Sequence, residues 1–199
     1  MKLKWEDYNI EEHECLDRWM DRDYSPNSEL IYNFAIGNLS SISEEVEYAN
    51  FEREEGLAAG RDLPTAIKVV KHNDEVVAVV FVRCTPAFNL SGKRMFYGSI
   101  NPIIVNPTLL GQGYGKAIIG DLIKKADKIT GVKIDVLTAS VDRKNERSLR
   151  LIRGQGFFEN MESPYNIIYF KKPIDREKYT RKKNLKSANE SKVSNEEKE

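Results

Sequence analysis

A glycine-rich segment at residues 105–116 constrains the fold more than any other part of the chain. It reads V-N-P-T-L-L-G-Q-G-Y-G-K. It begins at the last of the apolar residues 103–105 and precedes an amphipathic stretch. The pattern predicts a strand that turns through a loop with little side-chain bulk into the N-terminus of a helix. Glycines allow backbone conformations that other residues avoid, and the unpaired N–H groups of a first helical turn attract anions. The segment therefore predicts a phosphate-binding loop.

The spacing of the glycines excludes the two commonest phosphate loops. A Walker A loop would need glycine at the position of Leu110 and Ser or Thr at that of Ala117. A dinucleotide fingerprint needs G-x-G-x-x-G, whereas this chain has G-x-G-x-G. The loop instead resembles the acetyl-coenzyme A loop of the GNAT superfamily of N-acetyltransferases, Q/R-x-x-G-x-G/A, matched here by Gly113 and Gly115. Leu110 departs from the first position of that pattern.

A second motif supports the resemblance from independent residues. Residues 145–157 read N-E-R-S-L-R-L-I-R-G-Q-G-F and look like the GNAT helix N-x-x-S-x-x-L-Y-x-x-x-G-F, with Ile152 in place of tyrosine. Taken alone, Asn145 would more often be a helix N-cap, and Gly154 and Gly156 a helix end and a turn. Two motifs in the family's order, joined by a helix and a strand, extend the resemblance over residues 60–172.

The resemblance implies an α+β fold with three layers, in which helices flank a central mixed, mostly antiparallel sheet. The hydrophobic pattern agrees, because segments of helical and of strand period alternate along the chain. The predicted helices are 11–20, 43–59, 117–129 and 146–153, and the predicted strands are 65–71, 75–83, 94–105, 132–139 and 165–171. A loop is expected at 84–93. Pro102 cannot donate to a ladder, so a bulge is expected there.

Composition suggests one domain at residues 1–172, followed by a tail at 173–199. The chain has 199 residues, which suits a single domain with a sizeable core. Lys, Glu, Asn and Ser dominate from Pro173 onward, and such a segment buries too little apolar surface to offset its ordering entropy. The tail is therefore expected to be disordered.

Other classes of protein are disfavoured by what the chain lacks. There is no apolar run long enough to span a membrane and no apolar leader at the N-terminus. Only two cysteines and two histidines occur, which argues against a disulfide framework and against a zinc site. We therefore expect a cytoplasmic protein without metal, active as a monomer or a homodimer.

Charge is distributed unevenly along a chain that is neutral overall. Residues 1–60 hold 15 Asp or Glu and 5 Lys or Arg, a balance of −10, and the remainder holds 26 basic and 16 acidic residues, a balance of +10. In the GNAT fold the first helices form one wall of the acceptor cleft, so the resemblance implies a preference for cationic amines such as polyamines. The alternative is that these acids only face solvent. A basic tail that docks on nucleic acid is disfavoured by overall neutrality and the lack of an aromatic platform.

The resemblance implies direct transfer of an acetyl group from acetyl-CoA to a primary amine of a small molecule or a protein. The loop amides and Lys116 would bind the pyrophosphate, the backbone of Ile104 and Val105 would pair with the pantetheine arm and face the oxyanion, and Asn145 would bind pantetheine. Arg143, Lys144 and Arg147 would either meet the 3′-phosphate or remain a solvated surface. The coenzyme-binding residues expected in full are Ile104, Val105, Leu110, Gly111, Gln112, Gly113, Tyr114, Gly115, Lys116, Asn145 and Ser148.

Two departures leave the proton chemistry open. Many relatives have a tyrosine acid at the position of Ile152 and a glutamate base at that of Asn101, and neither side chain here can serve in that way. Tyr97, Asn101 and Tyr165 are the weak side-chain candidates for catalysis, with core packing the commoner role of a tyrosine. The rival hypothesis is a coenzyme-binding module that is catalytically weak or inactive.

Overall fold

A computed structural model describes residues 1–20, 41–58, 64–163 and 166–175. These residues form a seven-stranded sheet with helices on both faces, in the strand order β1-β2-β3-β4-β5-β7-β6. All neighbouring strands are antiparallel except β4 and β5, which are parallel. The expected mixed, mostly antiparallel sheet is therefore confirmed. The strands are β1 (Lys4–Asp7), β2 (Thr65–His72), β3 (Glu75–Phe88), β4 (Arg94–Val105), β5 (Val136–Asp142), β6 (Phe158–Glu162) and β7 (Ile167–Pro173).

Four α-helices and two short 3₁₀ segments connect the strands in the described residues. The α-helices are α1 (Ile10–His13), α2 (Ile42–Ala58), α3 (Tyr114–Thr130) and α4 (Glu146–Gly154), and the 3₁₀ segments are Glu14–Met20 and Pro107–Leu109. The helix expected at 11–20 is thus α-helical only in its first turn. Helices α2, α3 and α4 lie close to where the periodicity placed them.

The sheet separates two apolar cores, and β3 contributes to both. Ala78, Val80 and Val82 pack on the side of α3 and α4, whereas Val79 and Phe81 pack with the 3₁₀ segment and α2. All five side chains are fully buried. This explains why β3 reads as an unbroken apolar run, because a strand covered on both faces has no polar alternation.

Several strand predictions differ from the structure, and the strands expected at 132–139 and 165–171 instead span Val136–Asp142 and Ile167–Pro173. β1 and β6 were not predicted, since each is a short edge strand whose side chains are largely exposed. β3 continues to Phe88 through part of the expected 84–93 loop, because its last residues pair with the start of β4, Phe88 opposite Arg94. Such pairing depends on a distant segment rather than on local sequence.

The bulge expected at Pro102 is confirmed. Val80 pairs with Ile103 and Val82 with Ile100, so that Asn101 and Pro102 together oppose one residue of β3. Proline has no N–H to donate, and the bulge removes it from the ladder.

β4 and β5 pair over only part of their lengths. Their parallel register ends at Ile100 opposite Ala139, although β4 continues to Val105 and β5 to Asp142. The sheet is therefore split at its centre, and among the described strands none neighbours the backbone edge of β4 beyond Ile100 on this side.

The packed domain extends past the boundary expected at residue 172. Pro173 pairs with Val136 in the sheet, and the Ile174 N–H donates to the Asp135 carbonyl over 2.9 Å. Ile174 also packs against the core. The rest of the expected tail, residues 176–199, lies outside the described residues. No helix that the structure describes is both long and apolar enough to span a membrane.

Candidate active site

The glycine loop turns β4 into α3 through two left-handed residues. Gly111 has φ 88° and Gly113 has φ 87°, and a Cβ at either would meet no atom within 4 Å. Glycine is therefore required there by backbone conformation rather than by crowding. The Ala117 N–H makes the first helical bond, to the Gly113 carbonyl over 3.1 Å.

The backbone N–H groups of the residues before Ala117 remain available to bind a ligand. Within the described residues, no hydrogen bond engages the backbone N–H groups of Gly111, Gly113, Tyr114, Gly115 or Lys116. They lie at the positive end of a helix of 17 residues and beside the Lys116 ammonium. Unpaired amides, a helix dipole and a cation together form a site for a phosphate group.

The loop is held in place by contacts on both sides. The Asn106 side chain accepts from the Thr108 N–H over 3.1 Å, and the Asn106 N–H donates to the Val77 carbonyl over 2.9 Å. Tyr114, the first residue of α3, lies edge-on to His72, with 3.2 Å between the phenol oxygen and imidazole Nδ1. The hairpin formed by β2 and β3 thus supports the loop.

Helix α4 approaches the loop closely. A Cβ added at Gly115 would lie 3.1 Å from the Leu151 side chain, so the small residue lets the start of α3 pack against α4. At the N-terminus of α4, the Asn145 Oδ1 accepts from the Ser148 N–H over 3.0 Å. No bond in the described residues uses the Asn145 Nδ2. Capping the helix and binding a ligand are therefore compatible roles for this side chain.

A cavity of about 400 Å³ occupies the split between β4 and β5. Its size suits a small-molecule site. The phosphate loop and the first turn of α3 close one end, and α4 forms a wall. The lining residues are Ile100, Asn101, Pro102, Ile103, Val105, Leu109, Leu110, Gly111, Gly113, Tyr114, Gly115, Lys116, Ile119, Ala139, Ser140, Val141, Asp142, Asn145, Arg147, Ser148, Leu151 and Ile152.

Most of the residues expected to bind the coenzyme meet at this cavity. Ile104 and Gln112 do not line it. The Ile104 side chain is fully buried in the core on the side of α2, so only its backbone can contribute. The members that do line the cavity are Val105, Leu110, Gly111, Gly113, Tyr114, Gly115, Lys116, Asn145 and Ser148.

The three candidates for the 3′-phosphate are placed differently. Arg147 lines the cavity, whereas Arg143 forms an ion pair with Glu162 and Lys144 is exposed. A guanidinium already paired with a carboxylate has less to gain from a phosphate, so the geometry favours Arg147 among the three.

The catalytic candidates are only partly brought together. Asn101 lines the cavity beside Ile152, which is 5% exposed. Tyr97 lies before the split, opposite Thr85, with the Lys171 ammonium 5.5 Å from its ring centroid, and does not line the cavity. Tyr165 lies outside the described residues.

Two polar residues of the cavity wall were missed by the sequence analysis. Ser140 and Asp142 follow the part of β5 that pairs with β4 and precede the second motif. The period-two alternation of residues 138–142 is the signal that could have identified them, since alternate residues share one face of a strand. In the residues that the structure describes, no three side chains of metal-ligating type cluster.

Comparisons with known proteins agree with the fold. Among curated protein sequences, none matches this chain significantly. The spermidine N-acetyltransferase of Vibrio cholerae, solved with CoA and spermine, has a TM-score of 0.59 at 14% identity, over 86% of this chain and 95% of that one. The N-acetyltransferase PseH of Campylobacter jejuni, solved with acetyl coenzyme A, has a TM-score of 0.53 at 17% identity, over 87% and 100%. The GNAT domain of S. lividans PAT has a TM-score of 0.58 at 12% identity, over 86% and 90%.

The match to a family model assigns the chain to a protein family, which structural likeness at such low sequence identity does not do by itself. The model described as "Acetyltransferase (GNAT) family" matches residues 8–157, which contain the glycine loop, the split of the sheet and the whole of the second motif with its helix. Both motifs therefore occur in their expected structural context. The chain belongs to the GNAT family of acetyltransferases.

Proposed function

We propose that this protein is an N-acetyltransferase that moves an acetyl group from acetyl-CoA to a primary amine. One observation carries the proposal: the cavity leads from the unpaired amides of the loop directly into the split of the sheet. A molecule with a pyrophosphate at one end and an extended amide-containing arm fits that path, since both ends of the path offer backbone hydrogen bonds.

Each part of the cavity has a role in this proposal. The amides of residues 111–116 bind the pyrophosphate, with the Lys116 ammonium adding charge. The free edge of β4 between Asn101 and Val105 pairs with the amides of the pantetheine arm and offers an N–H to the oxyanion that forms on the thioester carbonyl. Asn145 donates from Nδ2 to the arm, and Ser148 borders it.

The reaction needs little side-chain chemistry. When bound, acetyl-CoA supplies an activated acyl group whose leaving thiol has a pKa near about 8.5, so that its departure as a thiolate is tolerable without an acid. Attack of the neutral amine forms the C–N bond and breaks the C–S bond. The proton from nitrogen passes to solvent, and the thiolate takes one from solvent. Ile152 and Asn101 occupy the positions of the family's usual tyrosine acid and glutamate base, so those side chains are not present to carry out the two proton transfers.

The acceptor is proposed to be a small-molecule amine with cationic character. The support is the balance of −10 over residues 1–60. Part of that charge is already neutralised in ion pairs, since Asp7 contacts Lys68, Glu6 contacts Lys71 and Glu52 contacts Arg83. We further propose a cytoplasmic location and activity as a monomer or homodimer.

The test is release of CoA with a panel of amines, followed with a thiol reagent and by the mass of the acetylated product. Calorimetry with acetyl-CoA provides the binding measurement. Binding with release establishes the proposed reaction. Binding without release for any amine would instead support the coenzyme-binding module, which Ile152 and Asn101 favour.

A further inference from the structure

The cavity reaches both faces of the sheet, and β5 shows which residues lie on which face. Leu137, Ala139 and Val141 are buried in the core on the side of α3 and α4. Thr138 points to the other face, where its hydroxyl lies 2.9 Å from that of Ser99. Because side chains alternate along a strand, Ser140 and Asp142 share the face of Thr138, away from the phosphate loop and α4.

Asp142 is the single carboxylate among the described residues that line the cavity. Its side chain is half-buried, and its Oδ1 accepts from the Lys144 N–H over 2.7 Å. In the described part of the chain no cation pairs with it. The neighbouring Arg143 is occupied by Glu162.

Where the structure describes the chain, the other charges near the cavity are not placed to neutralise Asp142. Lys116 and Arg147 belong to α3 and α4, on the side of the phosphate loop. Lys171 shares the face of Asp142 but pairs with Thr138, four residues earlier on β5. That separation is about 13 Å along the strand, beyond a Debye length of about 8 Å at physiological salt.

We propose that Asp142 is the residue that selects the acceptor, by binding a cationic group of it other than the reacting amine. This inference rests on the proposed transfer to an amine and names its substrate class: amines that carry a second ammonium or guanidinium group. The bound group is not the nucleophile, because a carboxylate raises the pKa of an ammonium beside it and so opposes the deprotonation that attack requires.

The test compares cadaverine with pentylamine, two acceptors of equal chain length that differ in one terminal ammonium. The wild type should use cadaverine with a kcat/KM about tenfold higher, the ratio that a charge-assisted hydrogen bond of roughly 1.4 kcal/mol gives. Asp142→Asn should remove this preference and leave the KM of acetyl-CoA and the rate with pentylamine unchanged. Asparagine keeps an oxygen for the Lys144 N–H, so only the charge is lost.

Two further variants separate charge from structure. Asp142→Glu keeps the charge and should retain a preference for cadaverine. Glu146→Gln removes an exposed carboxylate that is four residues away and paired with Arg150, and should leave the preference intact. Added salt should lower the rate with cadaverine more than that with pentylamine, because only cadaverine carries the second charge that Asp142 binds.

A binding measurement distinguishes failure of this inference from failure of the proposed reaction. Calorimetry of cadaverine with the CoA complex should show about tenfold weaker binding for Asp142→Asn than for the wild type, whether or not transfer occurs. Equal cadaverine affinity in the two proteins, an equal loss of rate with both amines in Asp142→Asn, or a wild type without preference would each overturn the role of Asp142. Absence of CoA release with intact cadaverine binding would count only against the reaction.

Discussion

At the scale of single residues, Gly113 combines two requirements that a substitution can separate. Its φ of 87° is costly for any L-residue, by about 1–2 kcal/mol, and its N–H belongs to the phosphate cradle. Gly113→Asp should abolish acetyl-CoA binding in a folded protein, because the carboxylate repels the pyrophosphate. Calorimetry measures the affinity and circular dichroism the fold.

Gly113→Ala is the matched control, since it carries the same backbone cost without charge. In neither variant should the added Cβ meet a neighbouring atom, because this position lies in open space. The alanine variant should therefore keep measurable affinity at a similar melting temperature. If the aspartate variant bound acetyl-CoA as well as the alanine variant, the phosphate would have to lie elsewhere.

Ile152 tests whether an acid is missing from the site. The residue lines the cavity at the position where the family pattern has tyrosine. Ile152→Tyr should maintain or raise kcat with a responding amine, since a positioned acid contributes typically about 10²–10⁴-fold. Ile152→Phe adds the same ring without the hydroxyl and should not share any gain. Collapse of activity in the tyrosine variant with unchanged acetyl-CoA affinity would mean that Ile152 lines the acceptor site instead.

At the scale of elements, β1 and α3 are joined by one partly buried hydrogen bond. The Trp5 Nε1–H donates to Asp121 over 2.8 Å, and Lys125 contacts the same carboxylate over 2.9 Å. Trp5→Phe keeps an aromatic ring and loses the donor. It should lower the free energy of unfolding by about 1 kcal/mol, measured by urea denaturation.

Lys125→Ala removes the exposed partner of the same carboxylate and serves for comparison. Exposed pairs of this spacing contribute about 0.3–0.5 kcal/mol. Its effect should therefore be smaller than that of Trp5→Phe. An equal or larger effect would show that the indole–carboxylate bond between β1 and α3 contributes no more than the exposed ion pair within α3.

At the scale of the whole molecule, we expect that residues after Asp175 contribute little to the domain. Ile174 packs on the core and bonds to Asp135, whereas residues 176–199 contain few apolar side chains. Deletion of 176–199 should leave coenzyme affinity and the melting temperature nearly unchanged, because a segment with so little apolar surface adds little to a core. Calorimetry and thermal denaturation of the shortened protein measure both. A melting temperature lower by more than a few degrees would show that the deleted segment contributes to the domain.

The family and the glycine loop between a strand and a helix could be predicted because both depend on local sequence. A strand, a run of glycines and a helix start occupy consecutive residues, and left-handed conformations such as those of Gly111 and Gly113 restrict the residue type directly. The bulge at Pro102 is local for the same reason, since a residue without an N–H cannot sit in a regular ladder. The helical periods of α3 and α4 are likewise carried by neighbouring residues.

The acceptor side of the site depended on contacts between distant segments. β1 and β6 exist because β2 and β7 lie beside them, and no local pattern specifies such pairing. Asp142 reads in the sequence as an ordinary polar residue at the end of a strand. The tertiary structure decided its position, because the parting of β4 and β5 after Ile100 and Ala139 opens the sheet and exposes that carboxylate to the cavity. The sequence by itself thus determined, through backbone conformation, the loop that is proposed to bind phosphate. The packing of the sheet decided which side chains reach the cavity from the other face.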